Sequence, residues 1–487
     1  MEVSTSYMLV PVLGLLGYVI YCFYNLLEMY WLKPKRLEKC LRKQGYKGSP
    51  YRLRGDPYEK KLIGEALSKP IGLNENIVKR TMAHLINTVQ THESFSGLGA
   101  LEGEPWVKRR RILGRAFHVE KLKLMLPAFH ISCVEMLSRW ESMVSGKGSM
   151  EVEVWREIKD LTGEMLSRTL FGTRFAEAQR ILEIINEIAA LTMDAISSTY
   201  IPGLRFLPTK RNSRLRALDR ELRARVQVII DQKRKAIIAG EASGDDFLGI
   251  LVESNLNALK GNNKGEVLTD QDVITESRLF FFGGQETGTN LIVWTMFLLS
   301  RVPDWQQRAR EEIFQVFGDK MPTYDGLNGL KTSIFSSHSS YSTRLQVTMI
   351  LNEVLRLYCL VPEVSRVSAE DTTLGEDFIP AGVEFQMPQV LVHYDPEYWG
   401  DDVLEFKPER FAEGISKATN AQGAYFPFTL GVRVCIGDNF VLLEAKMAML
   451  LILRSFALEL SPSYVHAPIN RITTNPQYGV HLILRKL

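Results

Sequence analysis

Between Phe426 and Phe440 the chain reads FPFTLGVRVCIGDNF. One cysteine, Cys435, stands between Gly431 and Gly437, with Arg433 shortly before it and an apolar helical pattern, VLLEAKMAMLLIL, directly after. Glycines let a backbone turn sharply and let a flat group come close. Backbone N–H groups in such a turn can hydrogen-bond a sulfur, and the start of the following helix favours an anion. A cysteine binds metal only as thiolate, which nearby positive charge promotes. A single protein thiolate is one of the few axial ligands that hold haem iron. A bare CxG more often marks a buried structural cysteine, so the rest of the chain has to decide.

The chain has 487 residues, enough for a large core and, on length alone, for two or three domains. An apolar fraction of 45% and a charged fraction of 24% are those of an ordinary globular protein. A net charge of +3 gives no sign of a nucleic-acid partner. The five cysteines (Cys22, Cys40, Cys133, Cys359 and Cys435) are odd in number and irregularly spaced. That argues against a disulfide framework and for a reducing compartment. There is no CxxC pair, and the histidines lack zinc-ligand spacing. From Tyr7 to Leu27 the sequence is uncharged, about the length needed to span a bilayer core. Lys33, Lys35, Arg36, Lys39, Arg42 and Lys43 follow, so the bulk of the chain is expected on the cytoplasmic side. Tyr30 and Trp31 suit an interfacial belt. The expected division is an anchor over 1–31 and one large domain over 32–487.

Most of that domain reads helical. VEKLKLMLPAFHISCVEMLSRWESMV, RALDRELRARVQVIIDQKRKAI and DWQQRAREEIFQVF have apolar residues at three- and four-residue steps. Strand signals come late, in TTLGEDFIPAGVEFQMPQVLVHYD and GVHLILRKL, with IPAG as the break of a hairpin. The predicted class is mainly α with small β-sheets, α+β. Thr332–Gln346, TSIFSSHSSYSTRLQ, is Ser/Thr-rich and aperiodic, and reads as a loop or disordered insert between helices.

The pattern F-x-x-G-x-R-x-C-x-G is met by Phe428, Gly431, Arg433, Cys435 and Gly437. Here the sequence resembles the cytochrome P-450 superfamily, the haem-thiolate monooxygenases. The resemblance implies haem b as cofactor, Cys435 as its iron ligand, and NADPH used indirectly through a reductase. A second motif, GGQETG at Gly283–Gly288, lies in a long apolar pattern. Adjacent glycines cost about 1 kcal/mol each inside a helix, so something should offset them. By resemblance this helix crosses the distal haem face and widens locally, while Glu286 and Thr287 are the acid–alcohol pair that manages protons. Many relatives carry a second Thr where Gly288 stands.

In LNEVLRLY, Glu353 and Arg356 share a helix face and can pair. By resemblance Arg410 of FKPERF completes a structural Glu–Arg–Arg network. In EGEPWVKRRR, Trp106 and Arg110 are four apart. The family implies that they meet the haem propionates with Arg366 and Arg433, arginine being well shaped for carboxylates. Lys108, Arg109 and Arg111 read as a solvated basic face.

Stretches such as RAFHVEKLKLMLPAF and HYDPEYWGDDVLEFKPERF are similar to the plant branch called family 72, which includes secologanin synthase. That branch implies an apolar terpenoid-like substrate, O2 as oxidant, an NADPH–cytochrome P-450 reductase partner, and residence in the endoplasmic reticulum membrane. Relatives carry a longer stretch between a segment like HLINTVQTH and the tryptophan helix; here ESFSGLGALEGEP alone joins His92 to Trp106. The missing part would hold the first strands of a sheet. A shortened, catalytically defective haem-poor membrane protein and a haem-thiolate isomerase or dehydratase are the alternative readings; the Glu286–Thr287 pair speaks against the isomerase.

Overall fold

Helical periodicity dominates the chain, and the structure, a computed structural model, follows it. Residues 3–46, 68–82, 97–146, 148–172, 175–196, 207–241, 246–261, 267–328 and 346–487 are described. Helix α1 (Val3–Leu27) carries no charge and runs through a wider turn, Glu28–Leu32, into the basic helix α2 (Lys33–Lys43). Among the described residues no helix is long and apolar enough to cross a membrane. Side chains of α1 are described only at Gly14 and from Leu16 onward, so the span expected over Tyr7–Leu27 lies partly outside them. Beyond α2, Gln44 exchanges hydrogen bonds of 2.8 and 2.9 Å with the backbone of Phe378.

Helices α3 (Gly103–Gly114) and α4 (Val119–Val144) lead to strand β1 (Ser149–Glu153) and helix α5 (Val154–Leu166). Helices α6 (Phe175–Ile196), α7 (Lys210–Ala239) and α8 (Phe247–Lys260) follow. The long axis of the core is α9 (Asp270–Arg301), opened by a reciprocal cap between Thr269 and Asp272. From Gly288 to Ser300 each of its residues is buried, as in a helix enclosed on all sides. Each large apolar side chain so enclosed contributes roughly 1.5–3 kcal/mol. Pro303 starts α10 (Pro303–Phe317) at a position where its missing N–H costs little. Helix α11 (Gln346–Leu357) comes next among the described residues.

Strands β2 (Val364–Val367), β3 (Thr372–Leu374), β4 (Asp377–Ile379) and β5 (Glu384–Met387) make two separate antiparallel pairs, β2 with β5 and β3 with β4. The expected hairpin about IPAG is therefore corrected. The tight turn is at Gly375, φ +61°, between β3 and β4; Pro380–Gly382 instead carries the chain back to β2. Glycine takes that left-handed backbone without strain. VLVH, expected as strand, lies in a short helix, Gln389–His393, after Pro388.

Helix α12 (Asp438–Ser455) follows the cysteine loop and packs on α4, α9 and α10. Strands β6 (Phe456–Leu460), β7 (Pro468–Arg471), β8 (Thr473–Pro476) and β9 (His481–Lys486) close the chain. Strand β9, expected from GVHLILRKL, is the middle strand of the sheet β1-β9-β6, with Leu482 opposite both Val152 and Leu460. The structure is thus mainly helical with small sheets. The insert expected at Thr332–Gln346 lies outside the described residues except for Gln346, and residues 83–96 of the shortened connection lie outside them too.

Glu312 on α10 accepts the Gln346 N–H at 2.6 Å at the start of α11. Burial pushes its carboxyl up to about 7. A group raised above its unfolded value of roughly 4.3 stabilises the fold fully at low pH and loses that contribution as pH rises through about 7. Between pH 5 and 8 the thermal midpoint of Glu312→Gln is expected to fall less, or rise more, than that of the wild type. The difference between the two melting series is the readout, because His393 and His466, held neutral by burial down to about 3, act in the opposite direction over the lower part of that window.

Candidate functional site

The cysteine loop is shaped by its own backbone. Thr429 donates to Phe426 O at 2.9 Å, Val434 to Gly431 O at 3.1 Å, and Cys435 to Phe428 O at 3.0 Å. Gly431 sits at φ +77°, a conformation that would strain most side chains. The loop ends at Gly437, where α12 begins. Cys435 is an exposed residue, yet enough protein surrounds its sulfur that desolvation is the largest influence and raises its pKa. The Gly437 N–H, donating to the sulfur, and the charge of Arg110 oppose that rise. Cys22, Cys40, Cys133 and Cys359 are also unpaired, and burial pushes the Cys359 thiol up to about 12. Of the five, Cys435 is the exposed one.

Helix α3 brings Trp106 and Arg110 to this loop. The Arg433 guanidinium lies 4.4 Å from the centre of the Trp106 ring. It also donates to Leu101 O at 2.9 Å and pairs with the exposed carboxylate of Glu102 at 2.5 Å. Arg366, on β2, is exposed and its guanidinium donates to the neighbouring Ser365 carbonyl; no described contact joins it to Trp106, Arg110 and Arg433. Arg109, expected on a solvated face, instead bridges to Asp272 and the buried Glu276 of α9, both at 2.8 Å.

On α9 the glycine segment is α-helical throughout, without the local widening that the resemblance implies. A methyl built on Gly283 would meet open space. One on Gly284 would stand 3.0 Å from Leu166, so this glycine allows the close approach of α5. The Thr287 hydroxyl donates to Gly283 O at 2.7 Å. Glu286 is 3.6 Å from Lys159 of α5, whose ammonium lies 5.0 Å from the Trp155 ring centre.

Glu353 and Arg356 form a bidentate pair at 2.7 and 2.8 Å, both side chains fully buried. Arg356 further donates to the carbonyls of His393, Val403 and Glu405. Arg410 stands 3.5 Å from Glu353 and donates to Trp399 O and Asp402 O. Sequence reasoning did not single out Lys159, Glu102 or Glu444. Only Glu444 carried a signal: an acid inside the apolar run VLLEAKMAMLLIL.

These residues fit a haem. Cys435 is an exposed residue, the glycine side of α9 is open at Gly283, the charge of Arg110 acts on the sulfur, and Arg433 of the same loop lies over the Trp106 ring. The fold and the loop define a haem-thiolate oxygenase. The model of the cytochrome P-450 family matches residues 17–482, and the chain belongs to that family. A 7-deoxyloganic acid hydroxylase of Catharanthus roseus is 53% identical over 518 residues, covering 96% of this chain and 97% of that protein. Cytochrome P-450 72A552 of Barbarea vulgaris is 43% identical, with 100% of each chain covered. These likenesses put the chain in the plant family 72 branch. Among solved structures, the crystal structure of the cytochrome P-450DA haem domain has a TM-score of 0.65 at 24% identity, covering 81% of this chain and 80% of that one, a likeness of fold. The protein is a monooxygenase with haem as cofactor.

Cys435→Ser should abolish the thiolate-type carbon monoxide band of the reduced protein, read by difference spectroscopy. Glu353→Ala should leave Arg356 as an uncompensated buried charge, at a cost of about 3–5 kcal/mol. Its expected outcome is loss of folded, haem-loaded protein, measured as haem per polypeptide.

Proposed function

We propose that this chain is a membrane-anchored monooxygenase that hydroxylates a terpenoid acid of the iridoid type, with electrons drawn from NADPH through a cytochrome P-450 reductase. The observation that carries this reading is the 53% identity to a 7-deoxyloganic acid hydroxylase over nearly the whole of both chains. The uncharged run Tyr7–Leu27 and the basic residues after it support an anchor over 1–31 in the endoplasmic reticulum membrane, with a catalytic domain of 32–487 on the cytosolic side.

Haem, when bound, supplies the activation of dioxygen. The chain's own residues do the rest. Cys435 would ligate the iron, and the loop built on Phe428, Gly431 and Gly437 would give the sulfur its approach. Trp106, Arg110 and Arg433 would hold the propionates, Arg433 by exchanging Glu102 for a propionate carboxylate, and Arg366, now on the Ser365 carbonyl, would have to turn to join them. Thr287, whose hydroxyl is held toward Gly283 O, offers a hydrogen bond beside the open face of α9. Glu286, tethered to Lys159, can swing between that ammonium and the interior and so carry protons inward. Glu353, Arg356 and Arg410 lock the core and take no part in the chemistry.

A second reading has its own support. The alignment with the Barbarea relative runs over 532 residues, against 487 in this chain, and Arg366 stands apart from the other arginines. A chain shortened between His92 and Trp106 would bind haem poorly and be catalytically defective. One preparation separates the two. The full chain, co-expressed with a plant reductase in microsomes, is expected to give a thiolate-type carbon monoxide band and to convert 7-deoxyloganic acid only when NADPH is supplied. Thr287→Ala should keep the band while releasing several-fold more peroxide per NADPH. No band would favour the defective chain; a band with turnover independent of NADPH would overturn the oxygenase reading.

A further inference from the structure

Gly288 stands where many relatives carry a second threonine, and the space beside it is filled from another helix. A methyl built on Gly288 would overlap Oε2 of Glu444 and come within 3.2 Å of its Cδ and 3.6 Å of Thr162 Cγ2. Glu444, on α12, is fully buried, and neither of its carboxyl oxygens has a hydrogen-bond partner among the described residues. The hydroxyls nearby are already committed. Thr162 and Thr289 lie 2.8 Å apart, and Thr289 also donates to Gln285 O at 2.7 Å.

We propose that Glu444 is a positioning residue for the oxygen-handling turn of α9: its carboxyl seats in the notch that Gly288 leaves, and this contact sets where the turn bearing Glu286 and Thr287 lies. The overlapping atoms belong to the end of the Glu444 side chain, so a larger residue at 288 requires that carboxyl to move within its fully buried site. One turn earlier on the same face, Leu166 of α5 presses on Gly284, so α5 and α12 both approach α9 closely along a face adjacent to the open position at Gly283. A close-packed interior passes such a displacement on rather than absorbing it. The Thr287 hydroxyl direction depends on this turn through its bond to Gly283 O. Burial pushes the Glu444 carboxyl well above the ordinary carboxylate range, which favours its neutral form. The same carboxyl lies close enough to the buried thiol of Cys133 to help raise its pKa.

The proposal deepens the reading of Thr287 given above, and its test keeps the two apart. Gly288→Ala, Glu444→Ala and the double variant are made in the full-length haem protein. The thermal midpoint, the ferric spin-state ratio from the Soret band, and the position of the carbon monoxide band are measured for each without substrate. Gly288→Ala is expected to lower the midpoint and shift the spin-state ratio, and the double variant to recover both toward wild type, because the alanine at 444 removes the overlap. Such non-additivity is the mark of residues in contact. A merely space-filling role would move the midpoint alone. If Gly288→Ala yields no folded protein, Glu444→Ala carries the test, with a shifted spin-state ratio expected from a loosened turn. Additive effects, or an unchanged spin-state ratio in both single variants, overturn the proposal. A Thr287→Ala variant with unaltered peroxide release would instead sink the role of Thr287 and leave the steric pairing of 288 and 444 standing.

Discussion

A guanidinium sealed from water must find partners for its donors inside the protein, and Arg356 does so at one point through which much of the fold is tied together. Two of its bonds go to Glu353 on the same helix, and three more reach the carbonyls of His393, Val403 and Glu405. Trp399 covers it at 5.1 Å. The charge and the burial together hold His393 neutral, which frees its Nε2 to accept the Phe426 N–H at 3.3 Å. Phe426 opens the loop that ends at Cys435, and the next residue back, Tyr425, donates to Asn352 O at 3.0 Å on the same helix as Arg356. The thiol is therefore referred, through a few hydrogen bonds, to one buried ion pair on α11. Such a pair is a weak source of net stability, since desolvation opposes the attraction, but removing one member is costly. Its effect here is to make one arrangement of the loop much better than any other.

The environment of Cys435 balances two tendencies. Surrounding protein disfavours the charged sulfur, while the Gly437 N–H and Arg110 favour it. A bound cation would settle the matter, because a coordinating thiol is deprotonated outright. The same logic applies to Arg433, which shares itself between the Trp106 ring, a backbone carbonyl and Glu102. Glu102 is largely exposed, so its attraction is screened and a better-buried carboxylate can displace it.

Much of the fold was legible in the sequence because helices of this kind announce themselves by period. Val119–Val144 and Lys210–Ala239 follow the apolar spacing closely, and the Glu353–Arg356 spacing on one helix face foretold a contact that side-chain geometry then makes. The small sheets were harder. A turn residue in IPAG looks the same whether the chain doubles back on the strand just made or on an earlier one, and the partner of β5 is β2, with the β3–β4 pair between them in sequence. The start of QVLVH alternates enough to pass for a strand until Pro388 is seen to open a helical turn. Of the site, the loop and the glycine segment could be read because their residue types are costly elsewhere. The pairing of Glu286 with Lys159, of Arg433 with Glu102, and of Arg109 with Glu276 could not, since each joins segments whose proximity only packing decides.

The glycines of α9 bring these strands of reasoning together. A helix interior tolerates glycine at a cost of about 1 kcal/mol each, and here three stand within two turns. Their neighbours differ: Gly283 faces open space, Gly284 takes the side chain of Leu166, and Gly288 takes the carboxyl of Glu444. Missing side chains therefore act in two ways on one helix. Where nothing fills the space, the face of α9 stays open at Gly283. Where a neighbour fills it, the helix backbone is drawn close to that neighbour and kept there. Both are needed at once, because an opening beside Thr287 is useful only if the helix that frames it cannot drift, and the stabilisation lost to glycine is offset by the enclosed stretch Thr289–Ser300 that follows.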